Sequence, residues 1–338
     1  MNKLTIKTLA KELNLSVSTI SKAIRDSHEI STSTKKRVNE LVEKLNYVPN
    51  PYASSLRQRN SKTIGVVLPE IVDSFFAQAI NGIESVAQEK GYHVLIYLTH
   101  ENLEKEKMIL KDFESGRVDG VLMSVSRETK QAGHIYELMD KGVPLVFFDR
   151  VFEDIETTKI TTDDYESAHA ATEHLLNAGC RQILFLSFSS SLSISNKRLN
   201  GYKNALLEKG LKVTDKNILS FNNQSKIDYL LLKRKLMSRT RPDGILASVE
   251  KLAITIYQAC GDLQLRIPED IQVISFSNLE TASFLNPPLT TITQPAFEMG
   301  KTAASVLVKA LGRKKFELQK EEIVIPSILV VRRSTKGF

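Results

Sequence analysis

The sequence has little of what marks disulfide scaffolds, metal sites and membrane proteins. Its two cysteines, Cys180 and Cys260, are far apart in the chain and have no clustered histidine or acidic partners. This usage predicts reduced, partly buried thiols in a cytoplasmic protein, and no metal site. No apolar run reaches the roughly 18 residues that a membrane span requires. The start of the chain, Met1–Thr5, has no apolar stretch behind its charge, so no secretory signal is expected.

The positive charge is concentrated in the first sixty residues. The chain of 338 residues has a formal net charge of +7, and residues 1–60 contribute eleven lysines and arginines against five acidic residues. The remainder is therefore nearly neutral. Because a general solubility excess would be spread along the chain, this distribution indicates a small N-terminal module with a polyanionic partner. The length predicts two or three packed units.

Apolar spacing in this basic segment predicts three short helices. Thr5 caps a first helix that ends near Asn14, and Ser16 caps a second helix that extends to Ile24. A third helix follows the Ser31–Thr34 cap region and extends to Leu45. Two short helices joined by a tight turn are typical of a helix-turn-helix, while a plain three-helix bundle without a DNA role is the alternative.

The second helix has the surface expected of a recognition helix. Short hydroxyl side chains and one lysine allow close approach to the major groove and hydrogen bonds to base edges and phosphates. Base specificity is expected mainly from Val17, Ser18 and Lys22. The predicted DNA contacts of the module are Thr5, Ser16, Val17, Ser18, Thr19, Ser21 and Lys22.

A short helical segment is expected directly after the module. Pro49 stops the third helix, and Asn50 with Pro51 supplies an N-cap and a first-turn proline. The segment that follows has room for about two helical turns, too few to persist alone in water. We therefore expect a helix that forms only when something packs against it.

Beyond Asn60, apolar strand runs alternate with amphipathic helices. Continuous apolar strands of this kind predict parallel sheets covered by helices, and the length favours two doubly wound subdomains. The expected strands are Thr63–Leu68, His93–Leu98, Gly120–Val125, Pro144–Phe148, Ile183–Phe188, Ile218–Phe221, Gly244–Ala247, Gln272–Phe276, Thr290–Thr293 and Ile323–Val331. Ligands of such sheets bind beyond the carboxyl ends of the strands. The polar and aromatic groups found there suit a hydroxyl-rich sugar.

These segments resemble the lactose/galactose repressor (LacI/GalR) family of bacterial regulators over essentially the whole chain. The matching residues are Thr5–Ala10, Leu15–Lys22, Leu45–Asn50, Ser55-Leu56, Lys62–Val67, Val118–Val121, Arg198–Tyr202, Ile267–Asp270 and Leu289–Pro295. The resemblance implies an α/β fold in which a three-helix helix-turn-helix domain precedes two periplasmic-binding-protein-like subdomains. The expected divisions are a DNA-binding domain at 1–48, a hinge at 49–61 and an effector domain at 62–338. Within the effector domain we expect an N-subdomain at about 62–162 and 292–322, and a C-subdomain at about 163–291 and 323–338.

The resemblance also implies how DNA is bound. In such proteins two chains pair, each recognition helix enters a major groove of a near-palindrome, and the paired hinge segments lie in the central minor groove. Leu56 matches the leucine that wedges into the central base step, and Asn50 and Ala53 lie in the same segment. An apolar wedge in a short basic helix is consistent with minor-groove unstacking.

The effector cleft is expected to use strand-end residues together with positions that the resemblance implies. The candidate residues are Asp73, Phe75, Ser124, Arg150, Asp163, Arg198, Phe221 and Ser277, of which Arg198 lies in an expected helix and comes from the resemblance. Two departures affect the choice of ligand. The family's usual aspartate is replaced by Ser277, which removes a carboxylate acceptor, and its usual Asn-Asp pair before a helix is Val249-Glu250.

Together these features predict a homodimeric repressor of near-palindromic operator DNA, controlled by a small molecule that is a carbohydrate or related metabolite. No heptad repeat follows the last strand, so a dimer is favoured over a tetramer. A sugar-binding protein without a DNA role is one alternative, although it predicts a signal peptide and no basic module. An α/β enzyme acting on sugars is another, because fold does not determine function. The sequence lacks the G-x-x-x-x-G-K-[S/T], G-x-G-x-x-G and His-x-x-x-His motifs, so neither catalysis nor a cofactor is expected.

Overall fold

The computed structural model describes residues 5–47, 61–72, 74–188, 192–221, 225–312 and 318–337. Its contacts divide the chain into two compact units, Met1–Ser61 and Lys62–Phe338. Within the described ranges, no helix has both the length and the apolar character needed to cross a membrane.

The first unit is a three-helix domain, as predicted. Its helices are α1 (Ile6–Leu13), α2 (Val17–Ile24) and α3 (Thr32–Lys44). They enclose a small core of Leu9, Ala10, Ile20, Ala23, Val38 and Leu41. Asn14 ends α1 in the left-handed conformation (φ 51°), which turns the chain towards α2 within two residues. The hydroxyls of Ser16 and Ser31 accept the Thr19 and Thr34 amide hydrogens at 3.0 and 3.3 Å and so cap α2 and α3.

The second unit contains two six-stranded sheets with helices on their faces. Its strands are β1 (Thr63–Leu68), β2 (His93–Leu98), β3 (Gly120–Met123), β4 (Leu145–Phe148), β5 (Lys159–Thr162), β6 (Ile183–Ser187), β7 (Ile218–Ser220), β8 (Gly244–Ala247), β9 (Gln272–Phe276), β10 (Thr290–Thr293), β11 (Glu322–Ile325) and β12 (Ile328–Val330). Its helices are α4 (Ser74–Glu89), α5 (Leu103–Phe113), α6 (Gly133–Asp140), α7 (Asp164–Asn177), α8 (Ser193–Glu208), α9 (Ser225–Leu236), α10 (Glu250–Asp262) and α11 (Ala296–Leu311). Short 3-10 helices cover Asp215–Asn217 and Glu280–Phe284.

The strand orders show doubly wound topology in both sheets. The first sheet runs β11-β5-β4-β3-β1-β2 and is entirely parallel. The second runs β12-β10-β9-β8-β6-β7, and only the β10–β12 pairing among its described strands is antiparallel. The chain passes between the sheets three times: from β5 to α7, from β10 to α11, and from β11 to β12. The passages contact one another, because the Ser327 N–H donates to Asp163 Oδ1 at 2.7 Å and Gln294 Nε2 donates to the Thr162 hydroxyl at 3.5 Å.

Two sequence predictions need correction. The strand β5 was not predicted, because Lys-Ile-Thr-Thr has only one large apolar residue. The single strand expected at Ile323–Val331 is two strands in different sheets, since Pro326 cannot donate to a ladder and interrupts the pairing. The sheet pairing therefore places all of β10 in the second sheet and all of β11 in the first. The expected subdomain limits at 291/292 and 322/323 pass through these two strands.

Helices α4 and α11 approach so closely that glycine is needed where they meet. A Cβ atom on Gly82 would lie 2.0 Å from the Phe297 carbonyl oxygen, and one on Gly300 would lie 2.0 Å from the Ala79 carbonyl oxygen. The obstructing atoms are backbone, so no rotamer change can relieve the overlap. This contact anchors α11 to the first sheet although α11 follows a strand of the second.

Candidate ligand cleft and nucleic-acid interface

The outward surface of α2 carries the predicted recognition residues. Val17 is 40% exposed, Ser18 is exposed, and Ser21 and Lys22 are half-buried. The Ser16 and Thr19 hydroxyls lie 2.8 Å apart, so both are engaged at the helix cap. Thr5 is exposed at the start of α1, with its hydroxyl 3.2 Å from that of Thr8. The structure therefore leaves the side chains of Val17, Ser18 and Lys22 directed outward from α2.

Lys22 is paired with an acidic residue that the sequence analysis missed. Its ammonium donates a hydrogen bond to a Glu29 carboxylate oxygen, and the two side chains are 45% and 53% exposed. Glu29 lies in the loop before α3, which is also held by an ion pair between Lys35 and Asp26 at 2.7 Å. The spacing of seven residues spans a loop, so helical periodicity could not predict the pair.

Four of the predicted contact residues lie outside the described residues. They are Asn50, Ala53 and Leu56 of the expected hinge and Asp73 of the expected effector cleft.

A cavity of about 460 Å³ lies between the two sheets of the second unit, at the carboxyl ends of their strands. The first sheet and its helices contribute Glu70, Val72, Phe75, Phe76, Glu101, Arg127, Asp149 and Arg150 to its wall. The second contributes Phe188, Leu192, Ile194, Ser195, Arg198, Ser248, Val249, Glu250, Lys251, Ile254, Thr255 and Leu279, and Gln294 lies at a passage between the sheets. The location is the one that parallel-sheet topology predicts for a ligand.

An ion pair between Arg150 and Glu101 lies in the cavity wall on the first sheet. A guanidinium nitrogen of Arg150 lies 2.8 Å from Glu101 Oε1, and the guanidinium sits 5.9 Å from the ring centre of Phe76. Burial acts to raise the pKa of Glu101, but Arg150 and the Arg127 backbone N–H outweigh it, so that the pKa lies below its ordinary value. Both Glu101 and Asp149 adopt left-handed backbone conformations, with φ of 60° and 61°. Such strained positions are concentrated at functional sites.

Arg198 is a buried cationic side chain in the cavity wall on the second sheet. It is only 4% exposed, lies 3.8 Å from the ring centre of Phe276, and donates from Nε to Asp164 Oδ1 at 2.7 Å. Another guanidinium nitrogen donates to the Ser248 carbonyl, while Nη2 has no hydrogen-bond partner among the described residues. Burial raises the pKa of the Asp164 carboxyl, and the neighbouring guanidinium opposes that rise. Arg198 therefore presents a buried donor to the cavity.

The other predicted effector residues divide between the wall and the layer behind it. Phe75, Arg150 and Arg198 line the cavity, whereas Ser124, Asp163, Phe221 and Ser277 do not. A strand-end position predicts that a residue lies at the cleft edge of the sheet. It does not predict whether the side chain reaches the cavity, because side chains from other parts of the chain can cover it.

Three of these four residues contact other groups as follows. The Ser124 hydroxyl accepts the Arg150 N–H at 3.4 Å. Asp163 accepts from Ser327 N–H at 2.7 Å and so ties the start of α7 to the β11–β12 passage. Phe221 packs edge-on against Phe188, with ring centres 6.2 Å apart.

Two groups of hydrogen bonds join the subdomains across the cleft. Glu250 Oε1 accepts from the Ser74 N–H and hydroxyl at 2.9 and 2.8 Å. The Asn278 side-chain amide donates to Gln78 Oε1 at 2.9 Å. In the sequence Glu250 is only a departure from the family pattern, because contacts between residues 176 apart require the tertiary structure.

The charges of the described wall residues are balanced. The wall contains four carboxylates and four cationic side chains: Glu70, Glu101, Asp149, Glu250, Arg127, Arg150, Arg198 and Lys251. No group of three potential metal-ligating His, Cys, Asp or Glu side chains is present in the described part of the chain. The cavity can therefore hold a molecule with hydrogen-bonding groups and an apolar face, and the wall has no excess of one sign that would require a ligand of the opposite net charge.

Comparison with known proteins matches both units. Residues 5–50 match the family model of bacterial regulatory proteins of the lacI family, and residues 61–333 match that of periplasmic binding proteins and the sugar binding domain of the LacI family. The chain is 31% identical over 337 residues to the HTH-type transcriptional repressor PurR of Aliivibrio fischeri (strain MJ11), covering 96% of this chain and 98% of that protein. It is 28% identical over 333 residues to catabolite control protein A of Priestia megaterium, covering 98% and 99%.

The fold likeness extends to a solved regulator. The Lac repressor dimer bound to operator and the anti-inducer ONPF matches with a TM-score of 0.81 at 22% identity, over 98% of each chain. Domain order, two-sheet cleft and helix-turn-helix together define a DNA-binding transcriptional regulator, not an enzyme. The chain belongs to the LacI family of bacterial regulatory proteins.

Proposed function

We propose that this regulator is a repressor that binds a near-palindromic operator as a homodimer and responds to an uncharged carbohydrate or related metabolite in the cleft. The observation that carries the ligand class is the balanced wall of acid–base pairs and phenylalanine rings around the 460 Å³ cavity. Planar carboxylate and guanidinium groups are suited to paired sugar hydroxyls, and aromatic faces are suited to the apolar side of a sugar ring. A strongly charged ligand of either sign would lie near wall groups that carry the same sign and repel it.

The coupling to DNA is proposed to pass through the hinge at residues 49–61. A ligand that prefers one angle between the two sheets changes the separation of the two hinges in a dimer. Hinge folding in the minor groove is then the two-state element that both DNA and ligand bias. Whether the ligand releases or promotes DNA binding depends on the angle that it prefers. Since the partner is chromosomal DNA, we propose a cytoplasmic location.

DNA recognition is tested by selecting bound duplexes from a random pool. We expect enrichment of a near-palindrome, and failure to enrich any site would contradict the proposed function. Leu56→Ala should then lose specific binding, because the wedge is absent, while it keeps the weak, salt-sensitive binding to random DNA. Leu207→Ala, which removes an exposed leucine from α8, is the matched control and should bind normally.

The ligand class is tested by thermal shift with matched pairs of neutral sugars and their phosphates. A ligand present at about one hundred times its Kd stabilises the folded protein by about 2.7 kcal/mol. We expect a neutral sugar to raise the Tm and its phosphate to do so less. A larger shift with the phosphate would contradict the assignment of an uncharged ligand.

A further inference from the structure

Glu250 is a buried carboxylate that connects the two walls of the cleft. It begins α10 on the second sheet and is only 9% exposed. Its Oε1 accepts two hydrogen bonds from Ser74, the first residue of α4 on the first sheet. The first amide groups of a helix have no intrahelical acceptor, and negative charge is favourable beside them. The Ser74–Glu250 contact is therefore a charge-assisted cap supplied by the opposite subdomain.

The second carboxylate oxygen of Glu250 contacts the other departure from the family pattern. The Ser277 hydroxyl donates to Glu250 Oε2 at 3.2 Å. A carboxylate is absent at position 277 and present at position 250, and the two side chains are in contact. Glu250 is therefore a carboxylate that lies directly beside the strand-end position where the family's usual aspartate is missing.

The carboxylate is not saturated by these contacts. A carboxylate offers about four lone-pair positions. Ser74 occupies two and Ser277 one, and Glu250 also lines the cavity. The remaining position can accept a hydrogen bond from a ligand hydroxyl or amine, whereas a ligand anion placed there would be repelled by the Glu250 carboxylate.

We propose that Glu250 is a positioning and specificity-determining residue: it clamps α4 to α10 across the cleft and selects ligands that donate a hydrogen bond at that end. The contact between Glu250 and Ser74 does not depend on a ligand, whereas the role of Glu250 in ligand selection rests on the proposed function. A ligand that donates a hydrogen bond to Glu250 binds where the two subdomains meet. The same carboxylate then recognises the ligand and holds the two subdomains together.

The clamp is tested by measuring the distance between spin labels on the two subdomains. Lys130→Cys and Thr281→Cys are exposed sites, whereas Cys180 and Cys260 are buried, with pKa values raised by burial to about 12 and about 11, so they resist labelling. Glu250→Gln keeps the shape but loses the charge. We expect about a tenfold rise in the population with longer label distances, because hydrogen bonds to charged groups are the stronger ones.

Companion variants separate the clamp from general effects. Ser74→Ala should produce a smaller rise, because the Ser74 backbone N–H still donates to Glu250. Glu84→Gln, which neutralises an exposed glutamate on the same helix α4, should leave the distances unchanged. A distance distribution for Glu250→Gln equal to that of the wild type would overturn the clamp. If Glu250→Ala fails to fold, Glu250→Gln still decides.

The selectivity is tested by titrating D-glucose and D-glucuronate against both forms. The wild type should favour the neutral sugar by tenfold or more, and Glu250→Gln should reduce that ratio, because its amide can donate to the ligand carboxylate. An unchanged ratio overturns the role in selectivity. If neither sugar nor any other neutral sugar binds the wild type, the proposed ligand class fails, whereas the label distances still decide whether Glu250 clamps the cleft.

Discussion

Replacing Glu29 with glutamine is expected to strengthen operator binding by up to about fivefold. In the structure Lys22, a predicted base or phosphate contact, is held by the Glu29 carboxylate. DNA binding through Lys22 therefore requires that this ion pair be broken. The glutamine variant removes that cost and also removes a negative charge beside the lysine.

The magnitude follows from the exposure of the pair. Both side chains are about half exposed, and ion pairs of this kind contribute about 0.2–1 kcal/mol. Releasing 1 kcal/mol strengthens binding about fivefold, since 1.4 kcal/mol corresponds to tenfold. The lost repulsion between Glu29 and phosphate adds to this at low ionic strength and fades as the screening length falls to about 8 Å near 0.15 M salt. Loss of the Lys22–Glu29 ion pair also lowers the free energy of unfolding of the variant by this small amount, so its Tm should fall only slightly.

The assay is fluorescence anisotropy with a labelled operator duplex at several salt concentrations. Glu40→Gln is the matched control, because it removes one exposed negative charge from α3, whereas the Lys22 ion pair is made by Glu29. The reasoning is refuted if Glu29→Gln binds no more tightly than Glu40→Gln. It is equally refuted if the full gain persists when Lys22 is replaced by alanine, since the gain should depend on a freed Lys22.

Three further predictions concern the effector domain. Gly300→Ala should lower the free energy of unfolding by about 1–3 kcal/mol in denaturant titrations, because the backbone overlap outweighs the helix propensity of roughly 1 kcal/mol that alanine gains. Glu101→Gln should destabilise the fold by about 2 kcal/mol at neutral pH, because Arg150 loses the carboxylate that lies 2.8 Å from its guanidinium. Because the folded-state pKa of Glu101 lies below its ordinary value of 4.5, the difference from the wild type should shrink as the pH falls below about 4.5, and a constant Tm difference would contradict this. Arg198→Lys should abolish the ligand-induced Tm rise, since lysine lacks the planar fork and its stacking.

The sequence was most informative where function depends on local pattern. The caps at Ser16 and Ser31 and the apolar spacing of Leu9, Ala10 and Ile20 predicted the helix-turn-helix, because helix signals involve neighbours within a few residues. Strong apolar runs likewise located most strands. The polar strand β5 was missed because its burial depends on the sheet around it.

The cleft shows where local pattern stops being sufficient. Strand-end position predicted Phe75 and Arg150 for the cleft and the family resemblance predicted Arg198, and the structure puts all three in the cavity wall. The same rule could not distinguish Ser124 or Ser277, which lie behind the wall. Depth depends on which side chains pack in front, and these come from distant parts of the chain.

The amino-acid sequence alone determined the family, the order of the units and the concentration of positive charge on the DNA-binding module, since each is written in contiguous residues. Only the tertiary structure decided which charges face one another: Lys22 with Glu29 in the first unit, and Ser74 with Glu250 in the second. Ion pairs and hydrogen bonds act over about 3–4 Å, and the folded chain, not the spacing along it, brings groups to that distance.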